Sequence, residues 1–379
     1  MGDDGAMTDL LFDARHIDQS GVGTYIRTQL PHLERMLARH RRTLTVLADR
    51  GNAPVVGGGT RVVFSEFPGA PMYSVGEQRA WDAALRETRP RAMWVPHYPF
   101  PFTLLRRANR GVLSFVTVHD DNHLLPKDVS GQRAARRLYA RAMLEVDARR
   151  SSTIFSPTQA AADALATFVP SAEFVVTPIP VGEEWLTPVD AGLSPVQGRY
   201  VLYLGNVKRH KNLPALLEAY GEVRQDIPHD LVIAGSGASV KMLDERVHAS
   251  ASALGDRVRM IGRLDFESLR ALVAGADVLV MPSFNEGAGL PPLEAMASRT
   301  AVLCSDISSL RETCGSGADY FNPHDPGELA RLMRTHCLDD TARNELAARG
   351  WAHVTERQAL IPVDAAASAI VAKLDQCRM

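Results

Sequence analysis

With 379 residues the chain is too long for one ordinary core of roughly 100–200 residues, so two domains are expected. The 42 Lys and Arg against 44 Asp and Glu leave a net charge of −2, which excludes the overall basic footprint of a nucleic-acid binder. Hydrophobic residues at 45% and charged residues at 23% exclude a disordered chain, and no apolar run approaches the roughly 18 residues of a membrane span.

In chain order, the acidic start Met1-Gly2-Asp3-Asp4 lacks the basic and then apolar pattern of a secretory signal, so a cytoplasmic location is expected. The apolar run Leu10-Leu11-Phe12 leads through Gly21-Val22-Gly23 into a helical pattern from Tyr25 to about Ala38: strand, glycine loop, helix. Further buried strands are predicted at Leu44 to Ala48, Arg61 to Phe64, Ala92 to Val95, Leu113 to Val118 and Thr153 to Phe155, with helical patterns between several of them. Strands separated by helices imply a parallel sheet covered on both faces. From Arg35 to Arg150 there are 20 Lys and Arg against 10 Asp and Glu, and Arg133, Arg136, Arg137 and Arg141 share one helical face. That face is either solvated or suited to anionic lipid or a phosphorylated acceptor.

The stretch Trp185 to Arg199 holds Pro188, Gly192, Pro195 and Gly198 without periodicity and is predicted as a linker. A second alternating series follows. Its strands are predicted at Tyr200 to Leu204, Asp230 to Ala234, Val258 to Ile261, Val278 to Met281 and Ala301 to Cys304. Its helices are predicted near Leu213 to Tyr220, Ala238 to Ala253, Phe266 to Ala274, Pro292 to Ala297 and Gly327 to Arg334. The class is therefore α/β, with two doubly wound domains at 1–184 and 200–360 and a last helix in 361–379 expected to pack toward the first. Such sheets bind ligands beyond the carboxyl ends of their strands, and two facing domains would place a substrate in the cleft between them. The four cysteines, Cys304, Cys314, Cys337 and Cys377, form no Cys-x-x-Cys pair, so neither a zinc site nor a disulfide framework is expected.

The sharpest segment runs from Asn285-Glu286-Gly287-Ala288-Gly289-Leu290 through Pro291-Pro292-Leu293-Glu294 into a helix. Glycines ahead of a helix let backbone amides approach an anion, and the helix dipole favours it. Glu286 in the loop and Glu294 in the helix can face sugar hydroxyls; the plain alternative is a glycine turn, a proline-started helix and two solvated acids. Only five basic residues are lysines, Lys127, Lys208, Lys211, Lys241 and Lys373, and two of them lie in Gly205-Asn206-Val207-Lys208-Arg209-His210-Lys211-Asn212-Leu213. This segment again leaves a strand and enters a helix. Fixed cations there suit the charge that develops on a diphosphate leaving group, without a metal, and Lys211 is the first choice; a solvated basic loop is the alternative.

Gly21-Val22-Gly23 and Gly235-Ser236-Gly237 both lack the third glycine of a dinucleotide fingerprint and argue little for a nicotinamide cofactor. The run Thr117-Val118-His119-Asp120-Asp121-Asn122-His123 places polar groups at the end of a predicted strand. His119 can meet a sugar hydroxyl there or pack against a wall. Read as metal ligands, these residues lack a third cluster of matching spacing, so no metal is expected.

Together these segments resemble the retaining glycosyltransferases of family 4, whose GT-B architecture sets two Rossmann-like domains facing across a cleft. The resemblance covers nearly the whole chain, from Phe12-Asp13-Ala14-Arg15 and the glycine loop, through Thr117-Val118-His119-Asp120 and Lys208 to Asn212, to the Glu286 to Glu294 signature and Tyr320-Phe321-Asn322-Pro323. It implies that Lys211, with Lys208 or Arg209, grips the donor diphosphate, and that amides near Ala288, Gly289 and Leu290 hold the phosphates and sugar. It further implies that Glu294 binds the ribose, Glu286 contacts the donor sugar, and His119 approaches from the other domain. Arg263 and Leu264 would meet the base, and Gly21 and Gly23 would form the acceptor-side glycine loop of the binding site. Two positions depart from the family: Ala288 where an aromatic residue is common, and His210 where Arg is frequent.

The implied activity is metal-independent transfer of a hexose, with retention, from a nucleotide-diphosphate sugar. GDP-mannose is the first expectation and a UDP-sugar the second. The acceptor would be a hydroxyl of a glycan, a lipid-linked sugar or a natural product. No cofactor and no nucleic acid are expected, and His119, Glu286 and Lys211 would carry catalysis. Front-face displacement and a covalent route through Glu286 both stay open. The basic amino-terminal half would suit peripheral contact with the inner face of an anionic membrane. Two other classes are an NAD-dependent oxidoreductase, which should show the full glycine fingerprint, and a non-catalytic sugar-nucleotide-binding scaffold.

Overall fold

A computed structural model of the chain describes residues 8–19, 21–235 and 245–377. It divides into two compact units, the first taking Met1–Asp121, Ala135–Pro180 and Pro362–Met379, the second Asn122–Ala134 and Val181–Ile361. Each unit is built on its own parallel sheet.

The first sheet contains β1 (Leu10–Asp13), β2 (Leu44–Ala48), β3 (Thr60–Phe64), β4 (Ala92–Val95), β5 (Leu113–Thr117), β6 (Thr153–Ser156) and β7 (Phe174–Val176), in the order β3-β2-β1-β4-β5-β6-β7. β1, β2 and β4 are buried throughout, which is why they read as unbroken apolar runs. Trp94 on β4 lies 4.9 Å from the Phe12 ring and 5.0 Å from Phe155, and its indole donates to Thr117 Oγ1 at 3.0 Å. The helices in chain order are α1 (Val22–Arg39), α2 (Val75–Thr88), α3 (Lys127–Ser130, in the second unit), α4 (Ala134–Arg150) and α5 (Gln159–Ala166).

Ser74 starts α2 by accepting from the Glu77 amide, and Thr158 starts α5 by accepting from Ala161. α1 begins on Gly21, and a Cβ at Gly23 would lie 2.1 Å from the Ile17 carbonyl oxygen, so only glycine fits that close approach. The last helix, Ala365–Gln376, belongs to this unit and packs on α1, with Arg42 reaching Asp375 at 2.5 Å.

The second sheet contains β8 (Tyr200–Leu204), β9 (Asp230–Ala234), β10 (Val258–Ile261), β11 (Val278–Met281), β12 (Ala301–Ser305) and β13 (Asp319–Phe321), in the order β10-β9-β8-β11-β12-β13. Helices α6 (Leu213–Val223), α7 (Glu245–Ala253), α8 (Phe266–Ala274), α9 (Leu290–Ala297), α10 (Ser308–Cys314), α11 (Pro326–Leu338) and α12 (Asp340–Leu360) complete the unit. The strand period of two splits the core between the faces: Tyr200, Leu202 and Leu204 enter one cluster, Val201 and Tyr203 the other.

Three expectations are corrected. Residues 122–134, assigned by sequence to the first domain, fold with the second unit. The presumed linker also lies inside the second unit, because Trp185 and Val196 are buried in its core. β7 and β13 went unpredicted, since strands of three residues are too short to carry a readable period. Ser236, Gly237, Lys241 and the predicted helix start at Ala238 lie outside the described residues. Among those described, no helix is long and apolar enough to cross a membrane.

Candidate active site

In each sheet the strand order reverses beside the first strand of the unit, between β1 and β4 and between β8 and β11. Connections leave such a junction in opposite directions, so the loops beyond the strand ends part and leave a crevice. In the second unit the loop after β8 carries Lys211, and the loop after β11 carries Glu286.

These loops hold each other. The Phe284 amide donates to the His210 carbonyl at 2.7 Å, and Asn212 Nδ2 ties the first loop to the turn after β13 by donating to the Pro323 carbonyl at 2.9 Å. The Tyr203 hydroxyl supports the first loop from below by donating to the Asn206 carbonyl at 2.9 Å. Lys211 Nζ then lies 2.7 Å from both carboxylate oxygens of Glu286, and Ser283 Oγ donates to Oε1 at 2.6 Å. The Glu286 side chain is 8% exposed and that of Lys211 18%, so water weakens this pair less than one on an open surface. Gly289 precedes α9 with φ +60°, and a Cβ there would meet Leu310 Cδ2 at 2.7 Å. Glycine therefore serves both backbone and packing at the entry to α9.

The remaining sequence-predicted residues distribute around these two loops. Lys208 and Arg209 are exposed ahead of Lys211, and the Arg209 stem lies against Gly131 of the second unit's 122–134 segment. Ala288 and Leu290 flank Gly289, and Glu294 lies half-buried on α9. Arg263 and Leu264 follow β10 at the same end of the sheet, two strands from β8. Sequence reasoning missed Ser283, Phe284, whose ring stacks on His324 at 4.8 Å, and Asn122, which accepts from Asn285 Nδ2 at 3.2 Å. Asn122 and Asn285 stand 163 positions apart, and no local pattern could have joined them.

Gly21, Gly23 and His119 belong to the first unit. His119 follows β5, donates from Nε2 to the Pro96 carbonyl at 2.9 Å and sits edge-on to Tyr25 at 5.0 Å. Burial holds its pKa below the ordinary histidine value, against the opposing pull of the Pro96 carbonyl and Asp120, so the ring is neutral at pH 7.

At the first unit's own junction, Arg15 grips Asp13 at 2.9 and 2.7 Å, and Trp81 Nε1 donates to the same carboxylate at 2.6 Å. Burial pushes the Asp13 carboxyl up, but Arg15 more than offsets it and holds the group well below the usual carboxylate range. Beside this pair, His16 and His97 both reach Glu77 Oε1, at 3.1 and 2.7 Å. Neither set was singled out as a site by sequence reasoning.

Comparison with known proteins matches residues 190–351 to the family described as "Glycosyl transferases group 1" and residues 20–182 to "Glycosyl transferase 4-like domain". The chain is 32% identical over 253 residues to the serotype-specific mannosyltransferase WbdA of Escherichia coli, an alignment covering 62% of this chain and 30% of that protein. To the O-antigen chain mannosyltransferase B of Escherichia coli it is 30% identical over 201 residues, covering 49% of this chain and 51% of the other. The chain thus spans about a third to a half of the length of these relatives. Its fold is similar to that of a sucrose-phosphate synthase from Thermosynechococcus elongatus, with a TM-score of 0.75 and 21% identity over 98% of this chain and 99% of the other. It is also similar to Anabaena HepE, solved in complex with UDP-glucose, with a TM-score of 0.69 and 15% identity over 97% and 99% of the two chains.

Proposed function

The chain belongs to the group 1 glycosyltransferases and is a sugar-transferring enzyme, and from that premise we propose that it moves a mannosyl group from a nucleotide-diphosphate donor to a glycan hydroxyl, with retention and without a metal in the transfer. The observation that carries this reading is the Lys211–Glu286 pair at the junction of β8 and β11. An ammonium has three N–H donors, so Lys211 can meet a phosphate oxygen while it still orients Glu286. Departure of the nucleoside diphosphate builds negative charge on its terminal oxygen. A fixed cation there stabilises that charge without reorganisation, and Lys208 or Arg209 can add to it.

In the proposed front-face step, the bond from the anomeric carbon to the phosphate oxygen breaks. The acceptor oxygen bonds to the same face, and its proton passes to the leaving phosphate. Both Glu286 oxygens are already engaged, by Lys211 and Ser283, which supports an electrostatic role under the sugar over attack on it. His119, neutral with Nε2 committed to Pro96, would offer Nδ1 as an acceptor to a sugar hydroxyl. Amides near Gly289 would hold the phosphates, Glu294 the ribose, and the backbone at Arg263 and Leu264 the base.

Mannose as the sugar and a glycan as the acceptor are supported by the relatives' names. The fold neighbour solved with UDP-glucose supports a nucleotide-sugar donor in general and keeps a UDP-sugar as second choice. On α4, exposed Leu138 and Tyr139 beside Arg136 would suit contact with an anionic lipid carrying the acceptor. The test is thermal stabilisation by GDP, UDP, their sugars and NAD, followed by anomeric analysis of the product. A donor at 100 times its dissociation constant should stabilise by about 2.7 kcal/mol. Stabilisation by GDP-mannose and an α-linked product are expected; an inverted product or a response to NAD alone would overturn the reading.

A further inference from the structure

We propose that His16, Glu77 and His97 of the first unit form a site for one divalent transition-metal ion of the zinc class. Each offers one ligand atom, and these atoms lie within 4.8 Å of one another. The three side chains come from separate elements: His16 from the loop after β1, Glu77 from the first turn of α2, and His97 from the residues just after β4. They meet because β1 and β4 are neighbours in the sheet and α2 crosses beside their carboxyl ends. The site lies in a different unit from Lys211 and Glu286 and does not rest on the proposed transfer reaction.

Two imidazoles and one carboxylate make a recurrent zinc ligand set, one that leaves a fourth position open. Both imidazoles already direct Nε2 at Glu77 Oε1, at 3.1 and 2.7 Å. The second carboxylate oxygen is held by the Tyr73 amide at 2.8 Å, which aims Oε1 at the rings. Gln19 Nε2 lies 2.9 Å from His16 Nδ1, so an outer partner orients that imidazole, as ligating histidines require.

Coordination here balances without an oxidant or reductant. Each imidazole stays neutral as its proton moves from Nε2 to Nδ1 and the freed lone pair turns to the ion. Gln19 can meet the new His16 N–H by presenting its amide oxygen. Glu77 contributes one negative charge. Arg15, whose NH2 is 3.8 Å from Glu77 Oε1, is balanced by its grip on Asp13 at 2.9 and 2.7 Å. The bound ion would tie the loop ahead of α1 to α2 and to the end of β4, a structural cross-link under the glycine loop.

Because all three residues are buried, the ion would enter during folding, so the test loads it during synthesis. The full chain is expressed in medium supplemented with cobalt, desalted, and read by metal analysis and visible absorption. About one cobalt per chain, with the intense ligand-field bands of a four-coordinate ion, is expected. His16→Ala and His97→Ala should abolish the bands, and His32→Ala, elsewhere in the unit, should keep them. If the ligand variants fail to fold, Gln19→Ala tests the same site through its outer partner and should lower retained metal by about 10–100-fold. A folded, cooperatively melting wild type without stoichiometric cobalt would overturn the proposal. So would bands that persist in His97→Ala.

Discussion

The two strand-order junctions share one topology and differ in what fills them. Between β1 and β4, Asp13, Arg15, His16, Glu77 and His97 are all buried, closed over by Trp81 and the start of α2. Between β8 and β11, Lys211 stays partly exposed, and the chain enters α9 through Gly287, Ala288 and Gly289. A parallel sheet supplies a crevice at both places. What kind of site it becomes depends on the side chains that follow the strands. Bulky and charged partners shut the first junction off from solvent, whereas at the second Lys211 stays partly exposed beside a run of small residues. Buried ion pairs contribute little net stability but are costly to break, whereas an exposed pair contributes little and costs little to break.

That contrast can be broken from either side. Removing the carboxylate that balances Arg15, in Asp13→Ala, should destabilise the protein by about 3–5 kcal/mol in urea denaturation, because a buried guanidinium loses its partner. Lys211→Ala should do the reverse. Its turnover should fall by a factor on the order of 100–1000, with a loss of stability smaller than that of Asp13→Ala, because Ser283 still holds Glu286 and water reaches the vacated position. Near-normal turnover in that variant would remove the diphosphate role.

A third change sharpens the point that burial without a partner is what costs. Asp147 on α4 is fully buried, neither carboxylate oxygen has a hydrogen-bond partner, and burial raises its pKa well above 3.8. Its neutral form is therefore favoured in the folded state. Stability should fall as pH rises from the unfolded value through the raised folded one, and Asp147→Asn should suppress that fall. The variant should gain on the order of 1 kcal/mol at pH 7 and nothing at low pH, measured as melting temperature against pH. The smallest effect is expected at Asn122→Ala, which removes the hydrogen bond from Asn285 next to Glu286. Losing one such bond should raise the donor Michaelis constant about two- to tenfold and leave kcat unchanged. A fall in kcat alone would show that Asn122 acts on the chemistry.

Legibility followed burial and distance along the chain. Ala92–Val95, Asp230–Ala234 and Val278–Met281 occupy the predicted residues because a strand covered on both faces is an apolar run with polar ends. β7 was missed because Phe174, Val175 and Val176 are half-buried and too few to show a period. In the candidate site, Lys211 and Glu286 stood out as residue types at strand-to-helix junctions. Their direct pairing did not, since 75 positions separate them. Ser283 carries no signal of its own, and the His16, Glu77 and His97 set is spread over 81 positions of sequence without a motif.

By itself, then, the amino-acid sequence determined the alternation of strands and helices, the two-sheet class and the glycine-led entries to α1 and α9. All of these depend on patterns within a few neighbouring residues: hydrophobic period, capping groups and backbone freedom. Only the tertiary structure decided that residues 122–134 fold with the second unit, that Lys211 closes on Glu286, and that the first junction is filled by its own charges. Parallel crossovers set strand ends from distant parts of the chain side by side, and contacts made across that distance leave no periodic trace in the residues between.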